Sequence, residues 1–337
     1  MRITVLAGGV GGARFLRGLK AAVPDAEITV IGNTGDDITL FGLHVSPDLD
    51  TVMYTLGGGI SEEQGWGRAG ETHTVLDELA AYNAGPGWFG LGDRDFATHI
   101  ARTSMLRDGV PLSAATAALC RRWQPGVTLL PMTDDRVETR VTLEVTGADE
   151  EGMGRRAGGG STVHFQEGWV RLHAAVPAAR ISFTGAATAA PAPGVLDAIA
   201  AADCVLLPPS NPVVSVGAIL AVPGIAGAVR AKTVVGVSPI IGGAPVRGMA
   251  DACLAAIGVE TTAAAVAEHY GAGLLDGWLV DDQDKAAADD PALRGIAVRA
   301  LPLYMTDLAA SAEIARAALS LALELVPKGL QAPWRHK

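Results

Sequence analysis

RITVLAGGVGGARFLRGLKAAVPDAEITVI, residues 2–31, decides the fold class. Arg2 to Ala7 is a short β-rich run. Glycines 8, 9, 11 and 12 lead from it into a helical pattern carrying Phe15, Leu16 and Leu19 on one face. Pro24 disfavours helix at the residue before it, so the helix should end near Val23. Glu27 to Ile31 then reads as a second strand, and a strand–helix–strand unit of this length makes the strands parallel neighbours. The glycine turn has two readings. Its glycines either let strand and helix pack tightly, or let backbone amides at a helix N-terminus approach a phosphate.

Outward from this unit, the chain continues as NTGDD (33–37) and SPDLD (46–50), which set Asp36, Asp37, Asp48 and Asp50 beyond the carboxyl end of the second strand. Open α/β sheets bind ligands at that edge. Acids beside a phosphate cradle repel the anion unless a cation lies between them, and Mg²⁺ suits a few carboxylates plus phosphate oxygens. A nicotinamide site would instead place an acid where Asn33 stands, which weakens the NAD-dependent oxidoreductase reading.

The 337 residues are 49% hydrophobic and 18% charged, with a net charge of −10, a balance that argues against nucleic acid as a partner. Lysine is scarce and none follows the glycines, so arginine, backbone amides or metal must carry phosphate contacts. Cys120, Cys204 and Cys253 lie apart in apolar stretches and read as buried thiols. No apolar run approaches the ~18 residues of a membrane span, and a cytoplasmic setting is expected.

The overall expectation is an α/β Rossmann-like three-layer sandwich with a mainly parallel sheet. Residues 1–59 and 126–337 form the nucleotide-binding core, and 60–125 a helical insertion covering the active site. Within the insertion, Thr74 with Asp77 resembles a capping box for a helix with Val75, Leu76, Leu79 and Tyr82 on one face. A second helix opens near Asp93 to Asp95 and turns Phe96, Ile100 and Met105 inward. Arg94 there is either a surface ion-pair partner or a ligand contact beside Trp88 and Phe89; His73 and His99 read as structural. Later, VTLLPM (127–132), VETRVTLEV (137–145), STVHFQ (161–166) and GWVRLHA (168–174) suggest strands, partly antiparallel, around a polar glycine-rich stretch at 147–160. Asn211 and Pro212 mark a helix start. A closing helix begins with Thr306.

Taken together and in order, GGVGGARFLRGL, NTGDD, SPDLDTVMYTLGG, GLGDRDFATHIARTSML, LLPPSNPVVSVGAIL, SPIIGGAPVRGMAD and GLLDGWLVDD resemble the 2-phospho-L-lactate transferase family of coenzyme F-420 biosynthesis over nearly the whole chain. The resemblance implies transfer from a guanosine diphospho-acid to the ribityl hydroxyl of the deazaflavin Fo, with release of GMP. The acid is lactyl in archaeal members and enolpyruvyl in actinobacterial ones; alanine richness, arginine over lysine and GWGRAGETH (65–73) are closer to the latter. It implies Asp50 and Arg94 as Fo-binding residues, with Asp50 also orienting the attacking hydroxyl. Asp36, Asp37 and Asp50 are the metal candidates for Mg²⁺, and Asp48 reads as a turn residue. Gly8, Gly9, Gly11, Gly12, Ser210, Asn211, Ser238, Gly242 and Gly243 would hold the guanosine diphosphate. A homodimer is expected. Related nucleotide-sugar-binding regulators share a similar glycine loop but are not expected to combine PDLD with GDRD.

Overall fold

In the computed structural model, which describes residues 1–144, 161–172 and 176–325, the opening unit forms as its sequence requires. Strand β1 (Arg2–Ala7) pairs in parallel with β2 (Glu27–Gly32), from Arg2 opposite Glu27 to Ala7 opposite Gly32. Helix α1 (Gly9–Ala22) joins them and stops at Val23, before Pro24. Five more strands, β3 (Thr128–Pro131), β4 (Cys204–Leu207), β5 (Val234–Val237), β6 (Gly277–Val280) and β7 (Ala297–Ala300), complete one parallel sheet. Its order is β7-β6-β5-β4-β1-β2-β3. Strands β4, β5 and β6 are buried at every position, as a sheet covered by helices on both faces demands. Successive side chains alternate between the two apolar layers: Leu6, Val205 and Trp278 enter one, and Val5, Leu206 and Leu279 the other. The architecture is the expected three-layer α/β sandwich.

The strand order reverses between β1 and β4. The loops leaving those strands must therefore diverge, opening a crevice at their carboxyl ends.

On one face α1 packs against the closing helix, Leu308–Leu325. The contact is close at Gly18, where a Cβ would lie 2.4 Å from the backbone of Ser311. That helix starts one residue after Asp307, whose Oδ1 accepts from Ala310 N at 2.8 Å. Asp307 thus takes the capping role expected of Thr306.

Between residues 60 and 125 lie α3 (Thr74–Ala81), α4 (Asp93–Arg107) and α5 (Leu112–Trp123). Three expectations change here. The Asp93 carboxylate, which accepts from Val75 N at 2.9 Å and Thr74 N at 3.1 Å, caps α3 in place of a Thr74 box. Only Leu76 and Leu79 of α3 lean on an apolar cluster, while Val75 and Tyr82 are exposed. On α4, Phe96 is buried but Ile100 is 55% exposed, because the buried face carries Asp95, His99 and Arg102 instead.

The antiparallel strands Glu138–Leu143, Thr162–His164 and Ala178–Thr184 form a small sheet of their own. The stretch read as a further strand is a π-helix, Glu167–Arg171. Its pairs are spaced for a helix: Phe165 stacks near Trp169 at 5.5 Å, and Arg171 bridges Glu167 at 2.6 Å. The glycine-rich stretch 147–160 lies outside the described residues.

Because Gly18 meets backbone rather than a movable side chain, Gly18→Ala should force the two helices apart and cost about 1–3 kcal/mol. Urea denaturation of the variant against the parent measures this; an unchanged midpoint would show that the contact is not needed.

Candidate active site

The glycine loop after β1 and the loop after β4 meet at the crevice. Ser210 Oγ donates to the Gly8 carbonyl at 2.7 Å and accepts from Gly8 N at 3.2 Å. A Cβ on Gly11 would sit 2.3 Å from the Pro209 carbonyl oxygen. Glycine here thus serves tight packing, and the same packing leaves the α1 N-terminus facing a cavity of about 620 Å³. Gly8, Gly9 and Gly11 line it together with Ser210, Asn211 and Ser238. Arg14 and Arg247 bring positive charge to its wall. First-turn amides of a helix have no carbonyl partner within it and favour an anion.

Several residues of the expected phosphate set are engaged locally. Asn211 caps the following turn, its Oδ1 accepting from Val213 N at 2.9 Å and Val214 N at 3.2 Å. Ser238 Oγ bonds the backbone of Ile240. Gly242 and Gly243, with φ of 58° and 79°, make the two-residue turn of the hairpin Ile240–Ile241 to Ala244–Pro245 and lie outside the cavity wall. Gly12 packs beneath the loop against Ser210.

The acidic motif SPDLD is the start of a buried helix, α2 (Pro47–Leu56), with Asp48 and Asp50 both in its first turn. Asp48 is therefore no turn residue. Its Oδ1 accepts from Gly9 N at 2.8 Å and its Oδ2 from Asn33 Nδ2 at 2.9 Å, and it shares the large cavity with Asp36. Burial raises both carboxyls, and Asp48 reaches about 6. The charge of Asp48 pushes Asp36 further up. Asp36 Oδ1 is buried with no hydrogen-bond partner. Asp37 turns away: its Oδ2 receives Ser46 Oγ at 2.7 Å and His44 Nε2 at 2.8 Å.

Among the described residues no three His, Cys, Asp or Glu side chains group as a complete metal centre. Asp36 and Asp48 are instead two oxygen donors facing a cavity, one with an unsatisfied atom. That set fits a hard divalent cation whose remaining ligands are waters and phosphate oxygens.

A second cavity of about 390 Å³ lies on the other side of the α2 N-terminus. Its walls are largely apolar, with Trp66, Phe89, Leu91 and Trp169, while Asp50, Tyr54, Asp95 and His99 supply polar groups. Asp50 is bound on both oxygens by Arg102: Nη1 donates to Oδ2 at 3.0 Å and Nη2 to Oδ1. Arg102 is 1% exposed. Burial disfavours its charge, but Asp50 outweighs this and holds the guanidinium above its ordinary value. Tyr54 donates to Asp95 Oδ1 at 2.7 Å. Burial, then the Asp50 charge, raises Asp95 to about 7, and burial lowers His99 to about 4.

Arg94 stands on the exposed side of α4, with Nη1 3.2 Å from the Ala69 carbonyl, in neither cavity wall. His73 flanks α3, away from both. Motif reading passed over Tyr54, Asp95 and Arg102. Helical spacing is the signal that could have found them: 95, 99 and 102 share a face of α4, as 50 and 54 do on α2. Trp66, Gln166, Trp169 and Met249 line both cavities, which makes them the boundary between the two.

The profile of the family described as 2-phospho-L-lactate transferase CofD matches residues 3–298. The chain is 66% identical over 327 residues to the phosphoenolpyruvate transferase of Streptomyces griseus subsp. griseus, covering 96% of this chain and 99% of that one. It is 67% identical over 333 residues to the phosphoenolpyruvate transferase of Thermobifida fusca, again covering 96% and 99%. A mycobacterial phosphoenolpyruvate transferase, from Mycobacterium sp. (strain JLS), is 54% identical over 341 residues, covering 96% and 99%. Among solved structures, a UPF0052 family member from Bacillus halodurans superposes with a TM-score of 0.60 at 18% identity, covering 94% of this chain and 99% of that one, a likeness of fold.

Two outcomes follow from the charges. A carboxyl raised on folding favours the fold below its unfolded value near 3.8, and that contribution is lost as pH rises through about 6. In EDTA the protein should therefore lose on the order of 2–3 kcal/mol between pH 4 and 8 from Asp48, and Asp36 adds to the loss in the same direction. Asp36→Asn should flatten that dependence and melt higher than the parent at pH 8; equal melting curves at both pH values would refute the repulsion. Arg102→Met should cost about 3–5 kcal/mol by stranding a buried Asp50 charge. A loss below about 1 kcal/mol in chemical denaturation would mean that Asp50 finds another partner.

Proposed function

The chain belongs to the 2-phospho-L-lactate transferase family, and from that premise we propose that it moves a phosphoenolpyruvyl group from its guanosine diphospho donor to the terminal ribityl hydroxyl of Fo, releasing GMP and forming dehydro-F-420-0 in coenzyme F-420 biosynthesis. The relatives named phosphoenolpyruvate transferase favour the enolpyruvyl donor over the lactyl one. The observation that carries the reading is the pair of cavities meeting at the first turn of α2, with Asp48 on one side and Asp50 on the other.

The donor diphosphate lies against the α1 amides, with Arg14 and Arg247 beside it. Asp36 and Asp48 would hold Mg²⁺, which would neutralise phosphate charge and supply electrophilic help at phosphorus. Asp37, held through Oδ2 by His44 and Ser46 with Oδ1 buried and unpartnered, and Asp50, held by Arg102, would flank that site. The apolar cavity takes the flat deazaflavin ring between aromatic walls. The hydroxyl oxygen bonds to phosphorus as the P–O bond to GMP breaks, its electron pair leaving with GMP. Asp50 accepts the hydroxyl's hydrogen bond and orients it, and the proton passes to solvent. Such a transfer asks mainly for positioning and charge neutralisation. The enzyme acts in the cytoplasm as a homodimer.

Purified protein given Fo, enolpyruvyl-diphosphoguanosine and Mg²⁺ should release GMP and yield the dehydro product by mass, and EDTA should stop it. No turnover with either the enolpyruvyl or the lactyl donor would sink the transferase reading. Quenching of Fo fluorescence on binding, without nicotinamide binding, separates it from the oxidoreductase alternative.

A further inference from the structure

On the transferase reading above, we propose that Gln166 is a further catalytic residue, its carboxamide N–H donating to a non-bridging oxygen of the phosphoryl group as that group passes from donor to acceptor. If the donor phosphate occupies the larger cavity and the hydroxyl the smaller, phosphorus is transferred at their boundary. Four side chains line both cavities there: Trp66, Gln166, Trp169 and Met249. Met249 offers no donor, Trp66 is 45% exposed, and Trp169 stacks near Phe165 at 5.5 Å. Gln166 is buried, and among the described residues none bonds its carboxamide. An amide in both cavity walls with no partner among the described residues has hydrogen-bonding capacity open to the cavities, and the transferring group can use it.

Its backbone is anchored for a definite reason. Gln166 N lies 3.2 Å from His164 Nδ1, and His164 Nε2 lies 3.1 Å from the Asp37 carbonyl oxygen. A backbone N–H can only donate and a carbonyl can only accept, so Nδ1 carries the lone pair and Nε2 the proton. The imidazole is thus a strut of fixed tautomer between the acidic turn at Asp36–Asp37 and the backbone of Gln166. It ties the backbone of Gln166, and so the reach of its side chain, to the side of the site with the acidic turn. Donors fixed before the reaction, aimed where charge gathers on phosphoryl oxygens, are the kind that accelerate transfer.

Gln166→Met removes both amide functions at similar volume, and Gln166→Glu keeps an acceptor while removing the donor. With melting temperatures within about 2 °C of the parent, Gln166→Met should lower kcat about 10²-fold. The KM for each substrate should stay within roughly threefold, because the donor matters at the transition state rather than in binding. Gln166→Glu should do no better. Near-parental kcat in the Met variant, or turnover kept by Glu and lost by Met, would overturn the proposal, the latter because it would make Gln166 an acceptor for the hydroxyl. A parent enzyme without activity would sink the transferase reading and this role together; an active parent with an unaffected Met variant sinks the role of Gln166 alone.

Discussion

The carboxylate of Asp48 holds the crevice together. One oxygen takes the Gly9 amide at the start of α1, the other takes the Asn33 side chain at the end of β2, and the residue itself belongs to the first turn of α2. Three elements thus converge on a single side chain, and Ser210 adds the loop after β4 through both backbone groups of Gly8. The cost is a buried negative charge beside Asp36, which the positive end of α1 offsets only in part. Pairing of this kind makes the crevice a place where added positive charge is welcome, and a phosphate-bearing ligand with its counterion brings both signs at once.

The smaller cavity solves the opposite problem. Asp50 would be an isolated buried anion, and Arg102 satisfies both of its oxygens from a neighbouring helix. With that charge cancelled, the rest of the wall can be aromatic, and Asp95 and His99 sit in an environment that favours their neutral forms. The protein thus places a charged chamber and a nearly neutral one side by side, suited to a polyanionic donor and a flat acceptor respectively.

How much of this was legible depended on whether the signal was local. Pro24 after an apolar helical face and the glycines after a β-rich run fixed β1, α1 and β2, and Asn211–Pro212 marked its turn, because each rests on backbone sterics within a few residues. Glu167–Arg171 was misread because aromatic and β-branched residues suit a strand, while the pairs that favour a helix lie four residues apart. Ile100 was misplaced because α4 faces a cavity, where the inward stripe is polar. Asp48 looked like an ordinary Pro-Asp turn until Gly9 and Asn33, distant in sequence, were seen to bind it. Gly242 and Gly243 carry a hairpin turn that needs positive φ, a demand indistinguishable in sequence from a phosphate loop. Arg102 shares the spacing of Asp95 and His99 on α4, but that a buried arginine stands there is recognisable only with its partner Asp50.

Asp48 and Asp50 hang from one helical turn whose rise and rotation are set by backbone hydrogen bonds. That turn acts as a ruler between the chambers. Walls such as Trp66, Phe89 or Arg247 belong to other segments, so a change in them leaves the span between the two carboxylates as it is. An insertion or deletion of one residue between Asp48 and Asp50 would rotate one acid by about 100° relative to the other. In this architecture the walls can be altered one by one, and the separation of the two acids cannot.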